Sequence, residues 1–160
     1  MELSIYGHIN FMNIKIAKKE DIEKCVEIEV RETGGDKKIL TENLLIELNG
    51  KKHIILVAKV AEEIFGFING KINEWNRSIY IQELFISSSH RGKGLGTSLL
   101  NKVKEIGKIK KRRIIFLDLS PNNKEAMDFY TKKGFKKAGE INDFFDNPND
   151  SKAIILSYKL

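Results

Sequence analysis

Cysteine appears once in 160 residues, at Cys25, so no disulfide can form within the chain. Histidine appears three times, at His8, His53 and His90, too scattered for the ligand set of a structural zinc ion, and no metal is expected. Proline appears twice, at Pro121 and Pro148, and no linker, repeat or low-complexity stretch divides the chain. No apolar run approaches the roughly 20 residues that a membrane-spanning helix needs. The segment Met1–His8 lacks a basic stretch followed by an apolar core, so no secretory leader is expected. These absences together point to a cytoplasmic protein without a metal or a membrane partner.

What is present suits one domain with a real core: 41% hydrophobic and 31% charged residues are an ordinary globular balance. The net charge of +6 is a mild excess, much of it in Lys102–Arg113. Cations there favour the C-terminal end of a helix dipole, and they could equally attract a polyphosphate ligand. The run contains no interleaved aromatics, so stacking on bases is unsupported and no nucleic-acid partner is expected.

The pattern along the chain alternates between strand and helix periods. A strand is expected at 13–17, then a helix from Lys19 to Val30 with Ile22, Cys25 and Val26 on one face; Cys25 reads as a small core residue. Gly34-Gly35 breaks the chain, and Thr41 is a candidate cap for a second helix carrying Leu44, Leu45 and Leu48. Strands at 53–60, 64–72 and 78–86 read as an antiparallel meander with turns at 61–63 and 73–77. Trp75 lies in the second turn, where packing on a neighbour and lining a substrate edge are both open. A helix follows with Leu95, Leu99, Val103 and Ile106 on one side, then a strand at 113–119, which implies a parallel pair joined by a right-handed crossover. Pro121-Asn122-Asn123 starts another helix ending at Gly134, and strands at 135–141 and 153–158 complete the chain. The first eleven residues fit no element and are expected to be a flexible extension to a domain spanning 12–160.

One motif stands out. Arg91-Gly92-Lys93-Gly94-Leu95-Gly96 joins an apolar strand to a helix that opens at Thr97. Strand, glycine loop, helix is the arrangement that points free backbone N–H groups at an anion. Glycine permits positive φ and leaves no Cβ between backbone and ligand. Arg91 and Lys93 add positive charge, so the residues predict a phosphate-bearing ligand.

The order of elements and this loop resemble the GNAT-type N-acetyltransferases, from about Met12 onward. Arg91-Gly92-Lys93-Gly94-Leu95-Gly96 matches the family's Arg/Gln-x-x-Gly-x-Gly/Ala loop, and Glu83-Leu84-Phe85-Ile86 precedes it at the family's spacing. A second match lies in Asn123 and in Ala126-Met127-Asp128-Phe129-Tyr130-Thr131-Lys132-Lys133-Gly134-Phe135. The resemblance implies an α+β fold: a mixed, mostly antiparallel sheet of six to seven strands, about four flanking helices, and one parallel strand pair splayed around the cofactor. It implies acetyl-CoA as co-substrate. Backbone N–H groups from Arg91 through Gly92, Lys93, Gly94, Leu95 and Gly96 to Thr97 would hold its pyrophosphate. Leu84, Phe85 and Ile86 would lie beside the pantetheine arm, one of their N–H groups facing the thioester oxygen, a donor typically worth about a hundredfold or more in rate. Asn123 would bond the pantetheine or pyrophosphate region, or cap its helix, or both. Tyr130 would protonate the leaving thiolate.

The reaction implied is direct attack by a primary amine on the thioester. An alkyl ammonium has a pKa near 10.4, so only about one in a thousand is a free nucleophile at neutral pH. A carboxylate acting directly or through water could take the proton. Glu83 is the first choice, beside the expected thioester; Asp118 is the second, near the end of the facing strand.

Two alternatives remain: an acyl-CoA-binding domain of this fold without catalysis, and a dinucleotide-binding oxidoreductase. The second fails in detail, because Thr97 stands where that fingerprint has its third glycine. The acceptor is less defined. Glu29, Glu32, Asp143, Asp146 and Asp150 would attract a cation, which suits a protein N-terminus, a lysine, a polyamine or an aminoglycoside. Asn142-Asp143-Phe144-Phe145 is similar to a tyrosine-bearing loop of protein N-terminal acetyltransferases but lacks the hydroxyls. A monomer or a homodimer is expected.

Overall fold

The computed structural model describes residues 12–160; the expected extension at 1–11 lies outside the described residues. Seven strands form one sheet: β1 (Met12–Ile16), β2 (His53–Val60), β3 (Glu63–Asn73), β4 (Ser78–Ile86), β5 (Ile114–Leu119), β6 (Lys136–Ile141) and β7 (Ala153–Lys159). Their spatial order is β1-β2-β3-β4-β5-β7-β6. Neighbours pair antiparallel except β4 and β5, which run parallel as the crossover rule requires. Four α-helices flank the sheet: α1 (Ile22–Thr33), α2 (Lys37–Asn49), α3 (Leu95–Ile109) and α4 (Lys124–Lys132). Among the described residues, no helix is long and apolar enough to cross a membrane.

The ends of the helices follow from local chemistry. Asp36, not Thr41, caps α2: its Oδ1 accepts from the Ile39 N–H at 2.9 Å. Thr41 sits inside the helix, where its hydroxyl donates back to Lys37 O at 2.7 Å, the alternative open to a mid-helix threonine. A turn of 3-10 helix at Lys19–Asp21 precedes α1, which ends on Gly34 in the left-handed region. Asn123 caps α4, its side-chain oxygen accepting from the Ala126 N–H at 3.1 Å. Gly134 follows α4 with φ 89, as expected for the residue beyond a helix end.

Each face of the sheet buries its own core. On one side Leu99, Leu100 and Val103 of α3 pack on Ile68, Ile79 and Ile115. On the other, Cys25 and Val26 of α1 and Leu44 of α2 pack on Ile55, Val57 and Phe67. Cys25 is fully buried, and burial pushes its thiol up to about 12, so it is an inert core residue.

Two irregularities shape the sheet. The β4–β5 ladder covers only Ser78–Tyr80 against Ile114–Phe116, after which β4 stays with β3 and β5 stays with β7, so the sheet forks. On β4, Glu83 pairs with Asn69 but Ile81 pairs with Gly70, which leaves Gln82 as an extra, bulged residue. Ile79 and Ile81 therefore face the α3 core, and so do Leu84 and Ile86. The alternation slips by one at the bulge, and Gln82 and Glu83 both turn toward α1 and α2.

Truncating the α3 core should test this packing. Leu99→Ala removes a side chain with no exposed surface and should cost about 3 kcal/mol. Urea unfolding should show a lower midpoint with an unchanged slope, whereas Ile109→Ala, at a position 72% exposed, should leave the midpoint in place.

Candidate active site

The fork between β4 and β5 opens a cleft of about 700 Å³. Its walls come from Leu84, Phe85 and Ile86 on one side and from Asn123, Phe129 and Tyr130 on the other. The Ser87 N–H donates to Phe65 O at 2.7 Å, so residue 87, and by strand alternation Phe85, directs its main-chain groups at β3. Those of Leu84 and Ile86 face the cleft. The Ile86 carbonyl accepts from Arg91 Nε at 3.2 Å, which leaves both N–H groups and the Leu84 carbonyl for a bound chain. An extended molecule carrying amides would meet an unpaired strand edge there.

The glycine loop closes one end of the cleft. Gly92 and Gly94 hold φ values of 72 and 86, left-handed conformations that favour glycine. Gly94 forms the N-terminal boundary of α3, and the first bond inside the helix is Ser98 N–H to Gly94 O at 3.0 Å. The N–H groups of Leu95, Gly96 and Thr97 precede it, lie on the cleft wall and suit an anion at the positive end of a 15-residue helix. Arg91 is held by an ion pair with Glu32 of α1. Lys93 is exposed and stands apart from the residues that line the cleft.

Two side chains complete this wall. Asn123 spends its amide oxygen on the α4 cap and keeps its NH2 group for the cleft, so the capping and binding roles are compatible. Tyr130 is 6% exposed, wedged edge-on between Phe129 and Phe135 at 5.1 and 5.3 Å between ring centres. Burial raises its phenol above the ordinary value, so it stays protonated at neutral pH and can donate.

Glu83 lies on the other face of β4, in a polar cluster drawn from four elements. Asn69, with no exposed surface, donates one amide hydrogen to Glu83 Oε2 at 2.8 Å and the other to Glu47 Oε2 at 2.6 Å. His53, in the tautomer protonated at Nδ1, donates to Asn69 Oδ1 at 3.1 Å. Gln82 Nε2 reaches Glu47 Oε1 at 3.4 Å, and Gln82 Oε1 is the buried side-chain polar atom without a partner among the described residues. Burial pushes the Glu83 carboxyl up to about 7, with Glu29 and Glu47 adding repulsion and the Asn69 hydrogen bond acting against them. Burial also raises the carboxyl of Glu29, with Glu47 adding to it. A carboxyl near 7 is a poised proton acceptor.

Asp118 occupies a different position. It accepts a hydrogen bond from the Tyr80 hydroxyl, just past the last rung of the β4–β5 ladder, and Tyr80 stacks on Phe116 at 5.0 Å. Burial and Asp118 raise the Tyr80 phenol. Asp118 thus ties the two strands at the fork. Of the other acidic candidates, Glu32 is engaged by Arg91, and Asp150 accepts from Ser120 Oγ at 2.6 Å and Asn122 Nδ2 at 3.0 Å. Asp143 accepts from Ser151 Oγ at 3.3 Å, Asp146 is exposed, and Glu29 is buried with Glu47 beside it. Sequence reasoning missed Asn69, Glu47, His53 and the bulge; the parity break between Ile79/Ile81 and Leu84/Ile86 was the available signal for the bulge.

A sheet forked between two parallel strands, with a helix N-terminus and a glycine loop at the mouth of the fork, defines an α+β fold whose cleft has the shape and donors to suit an extended ligand with an anionic end. The family model described as Acetyltransferase (GNAT) family matches residues 15–135, and the chain belongs to that family. It is 42% identical over 57 residues to an uncharacterized N-acetyltransferase of Methanocaldococcus jannaschii, covering 36% of this chain and 25% of that protein. It is 32% identical over 78 residues to the L-2,4-diaminobutyric acid acetyltransferase of Shouchella clausii, covering 48% and 44%. The chain thus spans a quarter to under half the length of these two relatives. In structure it is similar to the ribosomal-protein-S18-alanine N-acetyltransferase from Escherichia coli, with TM-score 0.79 at 16% identity over 93% of this chain and 94% of that one. A spermidine N-acetyltransferase chimera from Vibrio cholerae aligns with TM-score 0.79 at 17% identity over 92% and 95%.

The raised carboxyl of Glu83 has a thermodynamic consequence. An unfolded glutamate titrates near 4.3 and Glu83 near 7, so between these values the folded chain binds more protons than the unfolded one. This contribution to stability is fully present below about pH 4.3 and is lost as pH rises through about 7. Glu83→Gln should therefore gain stability relative to the parent as pH rises across that window. Urea unfolding of both proteins at pH 5 and pH 8 measures it; a difference that is the same at both pH values would contradict a raised Glu83.

Proposed function

We propose that this chain transfers an acetyl group from acetyl-CoA to a primary amine, by direct attack with both substrates bound. The observation that carries the reading is the fork itself. An unpaired strand edge and a free helix N-terminus meet at its cleft, and a carboxyl poised near neutrality lies on the other face of the same strand.

Each residue then has a physical task. The N–H groups of Leu95, Gly96 and Thr97 suit the pyrophosphate, with donors fixed in place before the ligand arrives. The main-chain groups of Leu84 and Ile86 suit the amides of the pantetheine arm, and one of their N–H groups is free to donate to the thioester oxygen as negative charge develops there. The Asn123 NH2 group suits a carbonyl or phosphate oxygen of the same ligand. Glu83 accepts a proton from the incoming ammonium, which otherwise costs roughly 4 kcal/mol to deprotonate at neutral pH. Tyr130 donates its hydroxyl proton toward the departing sulfur.

Charge supports an amine acceptor. Glu29, Glu47 and Glu83 cluster on the face of β3 and β4 covered by α1 and α2, and no lysine or arginine side chain among the described residues bonds to any of them. A cationic substrate would relieve that repulsion. Relatives whose names specify L-2,4-diaminobutyric acid, spermidine or a protein alanine favour the same chemical class.

Thermal melts test the donor. Acetyl-CoA at about 100 times its Kd should stabilise by roughly 2.7 kcal/mol, and NAD should not. No shift with millimolar acetyl-CoA would sink the reading. Thiol release across a panel of amines then tests turnover. With an active amine, kcat/KM should rise with pH through about 7 as Glu83 ionises. Glu83→Gln should remove that limb and lower the rate by about a hundredfold or more. Tyr130→Phe should lower kcat with little change in acetyl-CoA affinity; an unchanged kcat would exclude the acid role.

A further inference from the structure

The end of the molecule opposite the cleft carries a second, differently built surface. The two ends are separated by α3, whose 15 residues span about 20 Å. At the far end the turn between β3 and β4 meets the connection from α3 to β5. Arg113 N–H donates to Arg77 O at 2.7 Å, and the Arg112 guanidinium reaches Glu74 at 2.8 Å. The basic run has no aromatic of its own, and the fold supplies one: Trp75 sits on the adjoining turn, 87% exposed.

The turn that presents Trp75 is cross-linked by side-chain hydrogen bonds. Asn76 Oδ1 accepts from the Ser78 N–H at 3.2 Å and from the Ser78 hydroxyl at 2.7 Å, while Asn73 Nδ2 donates to Ser78 Oγ at 3.2 Å. Arg77 holds φ 54. The same end of the molecule carries Arg77, Lys108, Lys110, Lys111 and Arg113, all exposed and none in an ion pair among the described residues. The Glu74 carboxylate in this turn is paired with Arg112. A helix dipole accounts for Lys108 in the last turn of α3, but its field falls off beyond that turn and does not account for charges at 110–113 and 77.

From this juxtaposition we infer that the Trp75 turn and the basic α3–β5 connection form a docking site for single-stranded nucleic acid. The unpaired cations would follow the phosphates and Trp75 would stack on an unpaired base. Closely spaced cations suit a ligand with a regularly repeated negative charge, and release of its counterions drives association. An isolated, exposed indole suits a base with a free face, which a duplex does not offer without unstacking. The polar neighbours of Trp75 in its turn, Asn73, Glu74, Asn76 and Arg77, disfavour a lipid surface, where an anchor presents a plane of apolar side chains. The site is remote from the cleft, so it does not depend on the acetyl-transfer reading.

The test uses a fluorescein-labelled oligouridylate of about 12 nucleotides and fluorescence anisotropy. Binding should appear in the micromolar range at about 50 mM salt and weaken by tenfold or more at about 200 mM. Trp75→Ala should weaken it about tenfold and leave the salt dependence unchanged. The double change Lys110→Glu with Lys111→Glu should weaken it and flatten the salt dependence. Trp75 is the sole tryptophan, so unlabelled oligouridylate should also quench the intrinsic emission of the parent protein. Three results would each overturn the inference: no binding at low salt, binding that Trp75→Ala leaves intact, or an emission shift with phosphatidylserine vesicles and none with the oligonucleotide.

Discussion

The single extra residue at Gln82 is the constraint on which the rest of the site depends. A strand places alternate side chains on opposite faces, and a slip of one residue moves every later side chain to the other face. Without the bulge, Glu83 would share a face with Ile79 and Ile81 and would point at Leu99 and Val103, where a carboxylate has no partner and costs several kcal/mol. With it, Leu84 and Ile86 fill that core and Glu83 reaches Asn69. The bulge also adds local twist, and the strand it twists is the one that parts from β5 after Tyr80, just before the bulge. One inserted residue thus supports both the position of the carboxyl and the opening beside it.

Much of this was legible in the sequence because it is written locally. The glycine loop, the strand before it and the helix after it are contiguous, and the family's second motif fixes α4. The antiparallel meander and the parallel pair followed from the turns and the crossover rule, whereas the place of β7 between β5 and β6 is set by pairings that no local pattern encodes. The start of α2 was misread because Asp36 and Thr41 both carry cap chemistry; Asp36 reaches the Ile39 N–H, and Thr41 then falls inside the helix. The polar cluster around Glu83 was not legible. Asn69 meets Glu83, His53 and Glu47 across 14, 16 and 22 residues of chain, and only the sheet register brings them together. Trp75 belongs to the same class: the basic run and the turn lie more than thirty residues apart, as the Glu74–Arg112 contact at a separation of 38 shows.

The partner chosen for Glu83 matters as much as its place. Asp21 makes an instructive contrast: it is 5% exposed and paired with Lys59 at 3.0 Å. There a cation compensates the charge, and the pair ties the start of α1 to β2. Glu83 instead receives a neutral amide that is shared with Glu47. A lysine in place of Asn69 would hold Glu83 ionised and depress its affinity for a proton, which suits a structural ion pair and not a proton acceptor. The amide orients the carboxyl while burial and the neighbouring carboxylates keep it raised. The fold accepts a local electrostatic cost at Glu83 that it avoids at Asp21, an arrangement that suits the proton exchange proposed for Glu83.

The two ends of α3 show a related division. At its N-terminus the nearby side-chain charge of Arg91 is already matched by Glu32, so the donors left for an anion are backbone N–H groups held by the helix and by Gly92 and Gly94. Fixed, uncharged donors select by geometry, since they cannot move to follow a ligand of another shape. At its C-terminus the cations are lysines and arginines on long flexible stems, unmatched by carboxylates among the described residues apart from the Arg112–Glu74 pair. Mobile charges select by sign and respond to salt, with little demand on shape. The same helix therefore separates a rigid anion site, suited to one end of a defined small ligand, from a compliant one, suited to a repeating polyanion. That contrast in rigidity, more than the chain's net charge, distinguishes what each end can bind.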